Sequence, residues 1–234
     1  MESGSTFMTQ DIYMINNLPG TAGNMVSNMI HSTYFHSGDA IVRDDFVFDD
    51  AENDQFNRDW FYQHWSLNTE TTSSHVCNIM HLPDFDNQLT KYPDAKMIVI
   101  THDINDCELI ANNLFQTFFI EGWVAGISRP AFTNILLEFP QFFSDQTASP
   151  LELTNKERQI FIKILGNQTL LSGFHNITIP DNPNVFEITL HEILYSPTTF
   201  RSKLETIMGR PLGMEAIADY KGFLMTYTEK FFIR

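Results

Sequence analysis

Basic residues are scarce in this chain: 14 Lys and Arg stand against 29 Asp and Glu, and the formal net charge is −15. A field of that sign repels nucleic acid and anionic membrane, and no basic stripe reverses it locally. The first cation, Arg43, comes after an N-terminal stretch without Lys or Arg. Cysteine is nearly absent as well. Cys77 and Cys107 are too few for a disulfide framework and read as small buried hydrophobes without a nucleophile motif. No apolar run approaches the roughly 18 residues of a membrane-spanning helix. The start, Met1 to Asp11, lacks a basic segment followed by an apolar one, so a cytoplasmic, soluble protein is expected. His31 and His36, or His75 and His81, lack partners at ligand spacing, and no metal site is expected.

Apolar and aromatic residues are plentiful. Twenty-one phenylalanines and a hydrophobic fraction of 43% argue for a filled aromatic core. Residues 1–10 read as a flexible tail, and 11–234 as a single domain, since no repeat or long linker divides the chain. Ile12–Ile15 is a short apolar run, followed by the small-residue turn Leu18–Asn24 and by Met25, Val26, Met29 and Ile30 at helical spacing. Val76–Met80, Lys96–Thr101 and Val185–Leu190 read as further strands. Asp103 is a natural N-cap and Gly122 a natural stop for the helix carrying Cys107, Ile110, Leu114 and Phe118. Thr154 with Glu157 has capping-box spacing, and Ser196-Pro197 opens a helix that Gly209 ends. Met214 to Phe232 supplies a last amphipathic helix. Strands written as continuous apolar runs and alternating with helices predict an α/β fold with a mostly parallel central sheet covered on both faces.

Three segments are placed for chemistry. A glycine loop between a buried strand and a helix aims backbone N–H groups and a helix dipole at one point. Here that loop is Pro19, Gly20, Thr21, Ala22, Gly23 and Asn24, with Thr21, Asn24 and Ser27 as further side-chain donors. The Gly-Lys-Ser/Thr ending of nucleotide hydrolases is missing, which argues against an ATPase, GTPase or kinase. His81 closes the second long strand, where ligands of parallel sheets bind, and an imidazole there suits proton abstraction near neutral pH. His102 holds the same position after Lys96–Thr101. His191-Glu192 reads as a surface pair, and Asp44-Asp45 and Asp49-Asp50 as a solvated acidic face.

In this order, the Pro-Gly-Thr loop, the strand ending His81-Leu82-Pro83, the stretch Tyr92–Ile100 and the closing Val185–Ile188 and Met208–Leu212 resemble the sulfotransferase family, and within it the divergent proteins of phages and marine microbes. The resemblance implies a P-loop-type three-layer α/β/α fold. It also implies sulfuryl transfer from 3′-phosphoadenosine 5′-phosphosulfate (PAPS) to a hydroxyl or amine of a small-molecule or glycan acceptor. Pro19 to Asn24 would hold the 5′-phosphosulfate, His81 would be the catalytic base, and His102 stands near the family's 3′-phosphate site. The chain departs from the pattern in lacking the loop lysine and the arginine and serine of the 3′-phosphate site, where His102 or Asp103 and Ile110 or Ala111 stand. Those departures define the alternative expectation, a catalytically inactive binding or accessory protein on the same scaffold.

Overall fold

A computed structural model describes residues 11–18, 20–38, 41–44, 75–80, 85–124, 126, 128–167 and 177–232, with backbone alone for 41–44, 75–80, 87, 91, 124 and 228–232. Its centre is a five-stranded sheet of β1 (Ile12–Asn17), β2 (Ile41–Asp44), β3 (His75–Met80), β4 (Lys96–Thr101) and β5 (Val185–Thr189). The strand order is β2-β3-β1-β4-β5, and every pairing is parallel. β1 and β4 are the apolar runs of the sequence. Met14 and Ile15 in β1 and Met97 to Ile100 in β4 are fully buried, as strands covered on both faces must be. β2 lies in a segment whose aromatic and acidic residues carry no clean period, which is why the pattern leaves it unassigned.

Alternation along β1 sends neighbouring side chains to opposite faces. Tyr13 and Asn17 meet α1 (Gly23–His36), with the Tyr13 and Tyr34 rings edge to face and Asn17 against Gly23. Met14 and Asn16 face α2 (Phe85–Lys91). Met14, Ala95 and Met97 form a core there against Phe85, Leu89 and Tyr92, and Gln88 Nε2 donates to Asn16 Oδ1 at 3.1 Å. This is an α/β fold on a parallel sheet, consistent with three layers.

The remaining elements follow their caps. Asp103 accepts from the Asn105 N–H and, with Asp106, forms a capping box over a single 3-10 turn, Ile104–Asp106. That turn leads into α3 (Cys107–Leu114), and the helix then widens into a π-helical stretch, Phe115–Glu121. Gly122, expected to stop the helix, instead opens one more α-turn to Val124. The wider turns place Phe115 and Phe119 against Phe161, with ring centroids at 5.5 and 5.1 Å, and Phe119 against Phe132 at 6.0 Å. Packing of this aromatic core therefore overrides the local stop. α4 (Arg129–Glu138) and α5 (Asn155–Asn167) complete it, with Phe161 between Phe132 and Phe143. After β5 come α6 (Leu190–Tyr195), α7 (Pro197–Met208) and α8 (Met214–Phe232). Gly209 ends α7 in the left-handed region, φ 68°, as the sequence predicts.

The described residues fall into two compact units. Those of Met1–Asn17, Ala22–Thr101 and Thr178–Leu224 form one, and those of Leu18–Thr21, His102–Ile177 and Met225–Arg234 the other. In the first unit β5 is the edge strand, and three of its backbone groups that face away from β4 are occupied. The Val185 N–H donates to Asn182 O, Glu187 O accepts from Lys203 Nζ at 3.3 Å, and the Thr189 N–H donates to Glu192 Oε2 at 2.9 Å. Lys203 is itself held by Glu192 at 2.6 Å. Among the described residues no helix is long and apolar enough to cross a membrane.

Candidate functional site

The strand order locates the ligand edge. From β1 the chain crosses to β2 on one side, and from β4 it crosses to β5 on the other, so β1 and β4 are neighbours whose connections diverge. Such a switch point, at the carboxyl ends of the strands, is where open α/β sheets bind ligands. The segment leaving β1 there is the predicted loop.

Within it Leu18 and Thr21 are fully buried. The Thr21 N–H and its hydroxyl both donate to Leu18 O, at 3.1 and 2.6 Å, closing a tight turn. The hydroxyl hydrogen of Thr21 is thereby committed within the loop. Gly20 sits at φ 89°, and a Cβ on it would lie 3.2 Å from Ile110 O, so only glycine fits without strain. Ala22 also has a positive φ, 71° with ψ 16°, and serves as N-cap of α1. A non-glycine residue there carries local strain of about 1–2 kcal/mol. Gly23 has no space for a side chain, because a Cβ would fall 2.2 Å from Asn17 Oδ1.

These dihedrals leave a run of donors. The first bond of α1 runs from the Val26 N–H to Ala22 O. Among the described residues no acceptor meets the N–H groups of Ala22, Gly23, Asn24 or Met25, and the Ala22 side chain offers no cap. Successive N–H groups around a left-handed residue make a concavity that favours an anion, and the positive end of a 14-residue helix adds to it. No acidic residue occupies the first turn of α1 to fill that role. Asn24 is exposed beside these groups, whereas Ser27 is fully buried in α1.

Pro19 and His81 lie outside the described residues. His102 follows β4 directly and is buried at 4% exposure, in the unit that also holds Gly20 and Thr21. Two residues absent from the sequence reading reach the loop: Asn113 Nδ2 and the Tyr227 hydroxyl each donate to Gly20 O at 3.0 Å. Tyr227 is 207 residues from Gly20, and no local pattern announces such a contact.

Other chemistry-bearing groups have structural partners. Burial pushes the Cys107 thiol up from its ordinary range, which suits an inert buried side chain. Glu192, expected as half of a surface pair, caps α6 through the Thr189 N–H and holds Lys203, while the His191 ring lies tilted against that of Tyr195 at 5.1 Å. At the opposite end of β1, Tyr34 donates to Asp11 at 2.8 Å and Lys96 pairs with Asp11 at 2.9 Å. Arg210 lies over the Tyr34 ring at 4.1 Å. Burial holds the Tyr34 phenol above its usual range, and its hydroxyl and ring serve as a structural clamp. A groove of about 620 Å³ lies between β5 and α7, lined by Glu187, Thr199, Ser202 and Lys203, and contains none of the predicted site residues. Among the described residues no group of His, Cys, Asp or Glu is placed to hold a metal ion.

No protein-family model matches the chain, and no curated protein sequence matches it. Among solved structures, it is similar to the crystal structure of an uncharacterized protein from Eubacterium ventriosum ATCC 27560. The TM-score is 0.38 at 10% identity, over 86% of this chain and 100% of that one.

Proposed function

We propose that this chain is a P-loop-type α/β protein whose β1–α1 loop holds the 5′-phosphosulfate of PAPS, and that it transfers the sulfuryl group to a hydroxyl or amine acceptor. The observation that carries the reading is the run of four N–H groups, Ala22 to Met25, without an acceptor among the described residues, beside a left-handed Ala22 at the switch point of a parallel sheet. Each backbone donor to a charged oxygen contributes about 1.5–3 kcal/mol. In the reaction the sulfur–oxygen bond to the phosphate breaks as one forms to the acceptor. The acceptor proton passes to His81, and adenosine 3′,5′-bisphosphate leaves. Positioning and electrostatics supply the catalysis.

A second reading has its own support. No Lys or Arg precedes Arg43, and the Thr21 hydroxyl is committed to Leu18 O, so the loop offers the donor no cationic side chain. On that reading the scaffold binds an anion and transfers nothing. Thermal unfolding with adenosine 3′,5′-bisphosphate, AMP and inorganic phosphate separates the two. A ligand at a hundred times its dissociation constant stabilises by about 2.7 kcal/mol. A shift with the bisphosphate well above that with AMP supports the PAPS reading. Equal shifts with all three leave a general anion site, and no shift removes both. Loss of turnover in His81→Ala, with the bisphosphate shift retained, assigns the base.

A further inference from the structure

We propose that the groove beside β5 is a docking site for an extended, lysine- or arginine-bearing segment of a partner protein, which adds to the sheet edge as a parallel strand. The inference is independent of the sulfuryl-donor reading and uses residues of the first unit alone. The Met97 N–H donates to Asn184 O at 2.8 Å, and Met97 is in register with Val185. The backbone groups of Phe186 and Ile188 therefore face β4, and those of Val185, Glu187 and Thr189 face away from it. An antiparallel strand needs the N–H and the carbonyl of one residue together. At each of these three residues one of the two is committed. The Val185 N–H serves Asn182 O, Glu187 O accepts from Lys203, and the Thr189 N–H serves Glu192. That closes the edge to antiparallel pairing, the way in which two copies of β5 would meet about a two-fold axis.

What is left has the pattern of a parallel ladder. Among the described residues nothing meets the Val185 carbonyl or the Glu187 N–H. In a parallel pair, one residue donates to the carbonyl before its partner and accepts from the N–H after it. A single incoming residue opposite Phe186 therefore satisfies both groups, as in other cases of strand addition to a free edge. The groove there has a volume of about 620 Å³, and α7 lines its far side with Thr199, Ser202 and Ile207. The next incoming residue stands beside Glu187 on the same face of the sheet. Glu187 is exposed, and its Oε1 accepts from the Thr101 hydroxyl at 2.6 Å. No cation pairs with it among the described residues, and the nearby Lys203 is held by Glu192. A lysine or arginine at that place gives the carboxylate its counter-charge. The net charge of −15 draws a basic partner at long range.

The test titrates the full chain with the blocked peptide acetyl-Thr-Val-Lys-Val-Thr-amide and follows the amide NMR signals. A dissociation constant of about 1 mM or tighter is expected, with slower hydrogen exchange at the Glu187 N–H. Methylating the nitrogen of the first valine removes the donor to Val185 O and should weaken binding by about three- to tenfold. Replacing the peptide lysine by glutamate, or Glu187→Gln in the protein, should weaken it by about two- to fivefold. A spin label on the peptide's first residue should broaden Val185 more than Thr189. Absence of binding at that level, indifference to the methyl group, equal binding of the glutamate peptide, or stronger broadening at Thr189 each overturns the proposal. Protection of the Glu187 N–H that rises with protein concentration, without peptide, would show that a second copy covers the edge, and overturns it as well.

Discussion

At Gly23 a methyl group would lie 2.2 Å from Asn17 Oδ1 and 2.4 Å from its Cγ, so alanine there forces either the Asn17 carboxamide or the first turn of α1 to move. Gly23→Ala is expected to destabilise the protein by about 1–3 kcal/mol, as overpacking of a buried site does, read from a denaturant midpoint. Ala22 gives a different contrast. Its φ of 71° tolerates glycine and rejects a β-branched side chain. Ala22→Gly should stay within about 1 kcal/mol of the parent, while Ala22→Val should lose about 2 kcal/mol or more. Equal effects of the two substitutions would show that the residue is not left-handed in solution. The glycines of the loop are legible in the sequence because small residues between a strand and a helix have few other uses. Asn17, Asn113 and Tyr227 are not legible. An asparagine ending a strand, another on a helix face and a tyrosine in an amphipathic helix each look ordinary until the fold brings them to the glycines.

Helix starts read well when the cap is local. Thr154 and Glu157 form the bonds that their spacing predicts, and Glu157 collects two more from the Ser144 N–H and hydroxyl, both at 2.7 Å. The Ser144 N–H, followed by the Thr154 and Ser144 hydroxyls, holds the Glu157 carboxyl down at about 2. An acid whose pKa is depressed by folding adds stability that is complete above its unfolded value, near 4.5, and is lost as pH falls toward 2. Acid titration of stability should therefore be shallower over that window in Glu157→Gln than in the parent protein. A parallel pair of curves would remove the carboxylate from that role. Helix ends read less well. Gly122 looks like a stop, yet the phenylalanines before it are drawn into the Phe161 core and the helix continues through wider turns. At the sheet edge, Lys203 covers the Glu187 carbonyl of β5. Lys203→Ala should expose that carbonyl and increase self-association, measured by sedimentation at rising protein concentration.

At the scale of the whole molecule, the alternation of apolar runs and helices was enough to foresee a parallel α/β sheet, and four of its five strands stand out as such runs. The lateral order β2-β3-β1-β4-β5 is a different kind of information. Nothing local in a strand says on which side of β1 the chain will next be laid down. The net charge of −15 opposes the approach of any anion at long range. With no lysine or arginine in the loop, an anion bound there feels net repulsion at long range. Its affinity is expected to rise, not fall, as ionic strength goes from about 0.01 to about 0.1 M and the screening length shortens from roughly 30 to 10 Å. Weakening over that range would point to cations reaching the site from elsewhere. The sheet order also has a consequence in time. The central strand is made first, yet Ile12 pairs with Val76, Tyr13 with Lys96, and the edge at Val185 only with Met97. A nascent chain therefore carries β1 without either neighbour until β3 (His75–Met80) has been synthesised, and with one bare edge until β4 follows. Pairings of such separation fold slowly. The buried run Tyr13–Ile15 is the segment that a chaperone working on the emerging chain has most reason to cover.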